Sequence, residues 1–243
     1  MIKNDECLDD LQNGYYIIQK KDGFKFGVDA VLLADFAKDA RSKSTLDLCT
    51  GTGIVPILLA AKTATPNICA LEIQENIAEM AARSVEYNKL AAHVHITHGD
   101  LKNAPALYGR GTFDKITVNP PYMKCGAGLQ NDTDTKSVSR HEVLCTLDDV
   151  IRVSAELLIS KGRFFMIHRP ARLADIMCSM REHKIEPKRL RFVHPSEGKA
   201  PNLVLIEGMK DGGDELNFLP PLYVHNADGT YTTEIDEIYG RNT

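Results

Sequence analysis

The spacing of apolar and polar positions changes character along the chain. From residue 45 onward, short apolar runs alternate with longer stretches in which apolar residues recur at helical intervals. Thr45–Cys49, Asn67–Leu71, Val94–Thr97, Lys115–Val118 and Arg163–Ile167 have the length and bulky apolar content of strands. Ile54–Ala64, Gln74–Asn88, Leu147–Ile159 and Arg172–His183 read as helices between or after them. Such alternation builds βαβ units and a parallel sheet. Two more runs, Arg189–Val193 and Asn202–Glu207, flank a short loop holding Pro195, Gly198 and Pro201. They predict an antiparallel pair closing one edge. The expected fold class is therefore α/β, a doubly wound, mostly parallel sheet of seven strands.

The segment ahead of this pattern is different. Tyr15–Gln19 reads as a strand, Lys20–Gly23 as a turn and Phe24–Phe26 as a returning strand, which predicts a small N-terminal hairpin. Asp29–Lys38 reads as a helix with Asp29 placed as its cap. The expected organisation is a hairpin and helix (residues 1–40) packed on one larger domain (residues 41–243). Residues 214–243, with Pro220, Pro221 and a turn at Asn226–Gly229, are expected to wrap the sheet edge without chemistry of their own.

Composition narrows the class. The chain has 243 residues, 43% of them apolar and 26% charged, enough for a buried core and unlike a disordered chain. It has no apolar run long enough for a membrane helix, and Met1–Glu6 lacks the basic and then apolar start of a signal peptide. The six cysteines are scattered with no C-x-x-C pair, which disfavours a disulfide scaffold or zinc site and points to a reducing cytoplasm. A net charge of −4 does not announce a nucleic-acid binder, so contact with a polyanion requires a local patch. The candidates are Arg181, Lys184, Lys188, Arg189, Arg191 and Lys199, with Lys20, Lys21 and Lys25 on the hairpin and Arg169 and Arg172 after the fifth strand.

Chemistry begins at the first core strand. It runs into Asp47-Leu48-Cys49-Thr50-Gly51-Thr52-Gly53 and then directly into a helix. Glycine is needed where a strand turns tightly into a helix and a ligand approaches the backbone. A nicotinamide dinucleotide would call for a third glycine at position 56, which is Pro56. Asp47 would repel a pyrophosphate but could accept from an ammonium. The second strand ends in Glu72-Ile73, where a carboxylate can grip a ribose diol, and the third in Asp100-Leu101, where it can accept from an adenine amine. Three acids at three successive strand ends suit a nucleoside that carries positive charge.

The fourth strand ends in Asn119-Pro120-Pro121-Tyr122. Two prolines fix the backbone and remove two amide donors, leaving rigid carbonyls free to accept. A planar NH2 group can then be held between the Asn119 side chain and the Pro120 carbonyl, while Tyr122 offers a flat face for stacking. Met123–Glu142 is polar and lacks apolar periodicity, as a substrate gate would. Arg140 and His141 within it are candidates for contact with substrate phosphate.

These motifs resemble those of the class I S-adenosylmethionine-dependent methyltransferases, a Rossmann-like fold, over roughly Thr45–Ile167. The resemblance implies that Cys49, Thr50, Gly51, Thr52 and Gly53 lie under the cofactor. It also implies that Glu72 and Ile73 hold the ribose, that Asp100 and Leu101 hold the adenine, and that Asn119 borders the methyl donor. The chain departs from the family's commonest loop at Cys49, where that loop has glycine. Asn-Pro-Pro-Tyr is the hallmark of members acting on planar amines. Phe24–Ala34, the Asp47–Gly53 loop and the Asn119–Tyr122 string together resemble the bacterial valine-tRNA adenine-N6 methyltransferases. In that family Phe26 and Gly27 would cover the cofactor's methionine end. The implied partner is tRNA. The alternatives are a release-factor glutamine methyltransferase, which normally carries a separate helical N-terminal domain, and a non-catalytic RNA- or cofactor-binding subunit.

Overall fold

The computed structural model describes residues 2–11, 14–22, 27–121 and 145–241. In chain order the elements are β1 (Glu6–Asp10), β2 (Tyr16–Lys20), α1 (Val28–Ala37), β3 (Ser44–Leu48), α2 (Ile54–Lys62), β4 (Asn67–Glu72) and α3 (Glu75–Tyr87). Then follow β5 (Val94–His98), α4 (Ala104–Tyr108), β6 (Phe113–Val118), α5 (Leu147–Leu157), β7 (Leu158–His168) and α6 (Leu173–Glu182). The chain closes with β8 (Ile185–Ser196), β9 (Leu203–Lys210), β10 (Asn217–Phe218), β11 (Leu222–His225) and α7 (Thr233–Tyr239).

The main sheet has the order β10-β8-β9-β7-β6-β3-β4-β5, with β11 also on β8. Strands β3 to β7 are mutually parallel, and β9 runs antiparallel to both of its neighbours. All seven expected strands are present. Among the described residues two short ones, β10 and β11, bring the sheet to nine. Both pair in parallel with β8, so the antiparallel pair does not close the edge as expected. The terminal region covers that edge instead.

Why the strands read as continuous apolar runs is visible in β7. Phe165 and Ile167 face one side, packed with Leu33 of α1 and Ile57 of α2, while Phe164 and Met166 face the other, with Val150 and Ile151 of α5. Both faces are covered, so both parities are apolar. Helix α5 begins at a capping box, in which Asp149 N donates to Thr146 Oγ1 at 3.1 Å and Thr146 N donates to Asp149 Oδ2 at 3.0 Å.

The N-terminal hairpin forms with a different partner from the expected one. β2 pairs antiparallel with β1, upstream of it, and Phe24–Phe26 lies outside the described residues. The other edge of β2 is satisfied by side chains of α3. Ile18 N donates to Ser84 Oγ at 3.0 Å, and Asn88 exchanges two bonds with the Tyr16 backbone at 2.8 and 2.6 Å. Nor is Asp29 the cap of α1. Gly27 holds that place and Asp29 stands in the first turn.

Candidate functional site

Chain order reverses across the sheet between β3 and β6. The connection from β3 leads to β4 on one side, and β6 lies on the other. Ligands of open α/β sheets bind at such a point, beyond the strands' carboxyl ends. Here the ends of β3 and β6 are in register, Leu48 beside Val118, so the loop 49–53 and Asn119-Pro120-Pro121 emerge side by side.

The loop is built from left-handed residues. Cys49, Gly51 and Gly53 have φ of 57°, 56° and 86°. A Cβ at Gly51 would meet open space, whereas one at Gly53 would come within 3.1 Å of Ala81 on α3. Glycine at 53 therefore serves helix packing as well as the turn. At Cys49 an ordinary side chain tolerates a conformation that glycine prefers. A hydrogen bond with the Cys145 thiol, together with burial, pushes the Cys49 thiol well above its usual pKa. Thr50 is buried and Thr52 half-buried in the same loop.

Asp47 lies beneath the loop, only 1% exposed. Its Oδ1 accepts from Thr117 Oγ1 at 2.6 Å, while Oδ2 and the hydroxyl of Thr50 have no hydrogen-bond partner among the described residues. Burial pushes the Asp47 carboxyl up to about 7, and the charge of Glu72 adds to this against the pull of the Thr117 hydroxyl bond. Glu72, 4% exposed, accepts from Gly51 N at 2.9 Å through Oε2 and from Gln74 N at 3.0 Å through Oε1. The neighbouring Ile73 carbonyl accepts from His98 Nε2 at 3.1 Å. Asp100 is half-buried beyond β5, where its Oδ1 accepts from Lys102 N at 2.9 Å, and Leu101 beside it is buried. The structure thus brings Asp47, Glu72 and Asp100 to one edge of three adjacent strands. Asp47 and Glu72 are buried there and Asp100 is half-buried.

Asn119 is half-buried and donates from Nδ2 to Asp29 Oδ2 at 3.2 Å. Pro120 is buried and Pro121 half-buried. A small cleft beside them is lined by Cys145, Thr146, His168 and Arg172. Burial pulls the His168 imidazole down to about 4, and its Nδ1 accepts from Arg169 N at 2.8 Å, so the neutral ring carries its proton on Nε2. Tyr122, Phe26, Lys25, Arg140, His141 and the polar segment 123–142 lie outside the described residues.

The basic side chains do not gather in one place. Arg169 and Arg172 follow β7, which runs parallel to β6, and so stand at the same edge as Asn119. Lys199, after β8, shares that edge because β8 also runs parallel to β7. Arg181, Lys184 and Lys188 precede or begin β8 and stand at the opposite edge. Arg181 pairs with Glu186, Arg189 with Glu207, Arg191 with Glu234 and Lys20 with Asp5. Among the described residues no His, Cys, Asp and Glu group could hold a metal ion, and no helix is long and apolar enough to cross a membrane.

Two residues of the site escaped the sequence reading. Thr117, one strand over from Asp47, carried only the signal of a polar residue inside an apolar strand. Asp29 carried the signal of a helix cap, and its partner lies 90 positions away.

Relatives of known description share this architecture. Over 218 residues the chain is 28% identical to the tRNA1(Val) (adenine(37)-N6)-methyltransferase of Porphyromonas gingivalis, covering 86% of this chain and 85% of that protein. The protein of the same description from Aeromonas hydrophila is 25% identical, with 90% and 89% covered. A solved structure described as a predicted O-methyltransferase from Agrobacterium tumefaciens superposes with a TM-score of 0.71 at 24% identity, covering 87% of this chain and 95% of that one. That likeness shows the fold. Residues 21–178, well over half of the chain and the whole of the β3–β7 core, match the methyltransferase small domain, and the chain belongs to that family.

Proposed function

We propose that this protein is an S-adenosylmethionine-dependent N-methyltransferase that modifies the exocyclic N6 amine of an adenine in tRNA, in the anticodon loop of a valine tRNA. The observation that carries the reading is Asn119-Pro120-Pro121 at the switch point, beside a left-handed loop and a buried carboxylate with one oxygen that has no partner among the described residues. The relatives described as tRNA1(Val) adenine-N6 methyltransferases supply the substrate. Such a substrate fits a cytoplasmic enzyme. We read residues 1–40 as an attachment to the catalytic domain of residues 41–243.

The acids fit a cationic nucleoside cofactor. Asp47 would offset its positive charge from below the loop, Glu72 would accept from the ribose and Asp100 from the adenine, over Gly51 and Gly53. When bound, the cofactor supplies an electrophilic methyl group and keeps the electron pair of the broken carbon–sulfur bond. The chain's own task is positioning. Asn119 Oδ1 and the Pro120 carbonyl would each accept one hydrogen of the amine, turning its lone pair toward the methyl group, with Tyr122 stacked on the base. Such acceptors strengthen as positive charge develops on the nitrogen, so they favour the transition state over the bound substrate. Arg169, Arg172 and Lys199 are placed to meet phosphates at that edge.

The test is methyl transfer from labelled S-adenosylmethionine to bulk unmodified tRNA, with nucleoside analysis of the digest. N6-methyladenosine from the wild type and none from Asn119→Ala is the expected result. Label in release-factor protein and none in tRNA would overturn the substrate and favour the glutamine reading. No transfer by the single chain would favour a binding subunit.

A further inference from the structure

We propose that Asp29 is a positioning residue that fixes which edge of the Asn119 amide faces the substrate. This rests on the reading of Asn119 as the residue that grips the amine. Asparagine can present either its carbonyl or its NH2 to a given side, and the two edges have nearly the same shape. Only the carbonyl accepts from an amine. Asn119 Nδ2 donates to Asp29 Oδ2 at 3.2 Å. An ionised carboxylate has no hydrogen to give, so it selects the donor edge of Asn119 and turns the amide oxygen away, to the side where an acceptor is required. A flipped amide would set oxygen against oxygen.

The surroundings hold Asp29 in that role. Its Oδ1 accepts from Ala30 N at 3.0 Å, so the carboxylate is oriented by backbone. It stands in the first turn of the ten-residue helix α1, where the helix dipole favours the anion. Gly27 makes room, since a Cβ there would come within 2.7 Å of Asp29 Oδ1. The segment upstream of the core thus reaches across to the catalytic string and sets its polarity.

Charge and shape make opposite forecasts. Asp29→Asn keeps the shape but can offer either edge, so it no longer selects an orientation. Asp29→Glu disturbs the shape but keeps a group that only accepts. The experiment measures kcat and KM on bulk unmodified tRNA, the Kd for S-adenosylmethionine and the melting temperature, using the full chain. Asp29→Asn should lower kcat about ten- to hundredfold with Kd and melting nearly unchanged, a loss typical of misoriented groups. Asp29→Glu should retain more activity than Asp29→Asn. Wild-type kcat in Asp29→Asn, or Asn outperforming Glu, overturns the proposal. So does a weakened Kd with kcat intact, which would make Asp29 a cofactor ligand. Full activity in Asn119→Ala overturns the reading beneath it, and the proposal with it.

Discussion

Gly51 donates its amide to Glu72 Oε2 at 2.9 Å, so the acid at the end of β4 braces the loop that leaves β3. The other oxygen takes Gln74 N and the Gln74 side chain, at 3.0 and 3.2 Å. Glu72 is therefore held in one orientation, with lone pairs to spare on Oε2 for the proposed ribose contact. This gives the residue two roles that mutation separates poorly.

Glu72→Ala should weaken cofactor affinity and destabilise the fold together. It strands two backbone amides near the floor of the site, at about 1–3 kcal/mol. Loss of a ribose contact should add at least about tenfold in Kd, roughly 1.4 kcal/mol. Glu72→Gln should be nearly as damaging, because its NH2 must face one of two amide donors. Calorimetric titration with S-adenosylmethionine and thermal melts check both effects. A variant that binds normally would remove Glu72 from the site.

The buried Asp47 predicts a pH dependence with a definite sign. Its carboxyl titrates at about 7 in the fold, against an ordinary 3.8. Between those values the folded protein holds a proton that the unfolded chain has released, so the Asp47 contribution to stability falls as pH rises from about 4 to 7 and is flat above. Asp47→Asn removes that slope. Its stability relative to wild type should increase from pH 5 to pH 8, by an amount on the order of a few kcal/mol. Urea melts at both pH values measure the difference. At pH 8, where Asp47 is ionised, the same variant should bind the cationic cofactor less well, because the charge beneath the loop is gone.

What could be read in advance follows from the range of the interactions. The core strands β3 to β7 were legible as short apolar runs and the helices α2, α3, α5 and α6 by their helical spacing, whereas the five-residue α4 was not expected. The hairpin was half legible. Tyr16–Lys20 is apolar enough to show as a strand, but Glu6–Asp10 holds three acids, and what seats it is the pairing of Glu6 with Arg83 on α3, 77 positions away. β10 and β11 are too short to show a period and exist because β8 offers an edge. In the site, the glycines and strand-end acids were legible as local motifs. That Asp47 is buried below the loop, and that Asp29 meets Asn119 as well as its own helix, depends on contacts between distant segments.

Cys49 should tolerate glycine better than any branched residue. With φ at 57°, a Cβ costs on the order of 1–2 kcal/mol there. Cys49→Gly relieves that strain and gives back part of it as unfolded-state entropy, about 0.5–1 kcal/mol, so its melting temperature should stay close to wild type. Cys49→Val should fall by about 1–2 kcal/mol or more, since branching at Cβ tightens the same clash. The two melts decide it. A Val variant as stable as Gly would mean that the loop can rearrange.

Glu6 anchors the hairpin, and its loss should show both at neutral pH and in acid. It is 3% exposed and takes two bonds from Arg83, at 2.8 and 2.7 Å, with a third from Lys3 N at 2.8 Å. The Arg83 bonds outweigh burial and hold its carboxyl down at about 2. Because the folded value lies below the ordinary 4.5, the stabilisation is complete above that pH and is lost as pH falls toward 2. Glu6→Ala should cost about 3 kcal/mol at pH 7, since it takes a buried carboxylate from the Arg83 guanidinium and leaves it the more exposed Glu79 at 2.9 Å. At pH 2 the wild type should have lost most of this advantage. Replacing both partners, Glu6→Leu with Arg83→Met, should recover part of the loss, because an apolar pair carries no desolvation penalty. Urea melts of the three chains at pH 7 and pH 2 test the argument. A single variant as stable as wild type at pH 7 would show that the buried Ile17 and Ile18 and the Ser84 and Asn88 bonds to β2 hold the hairpin without Glu6.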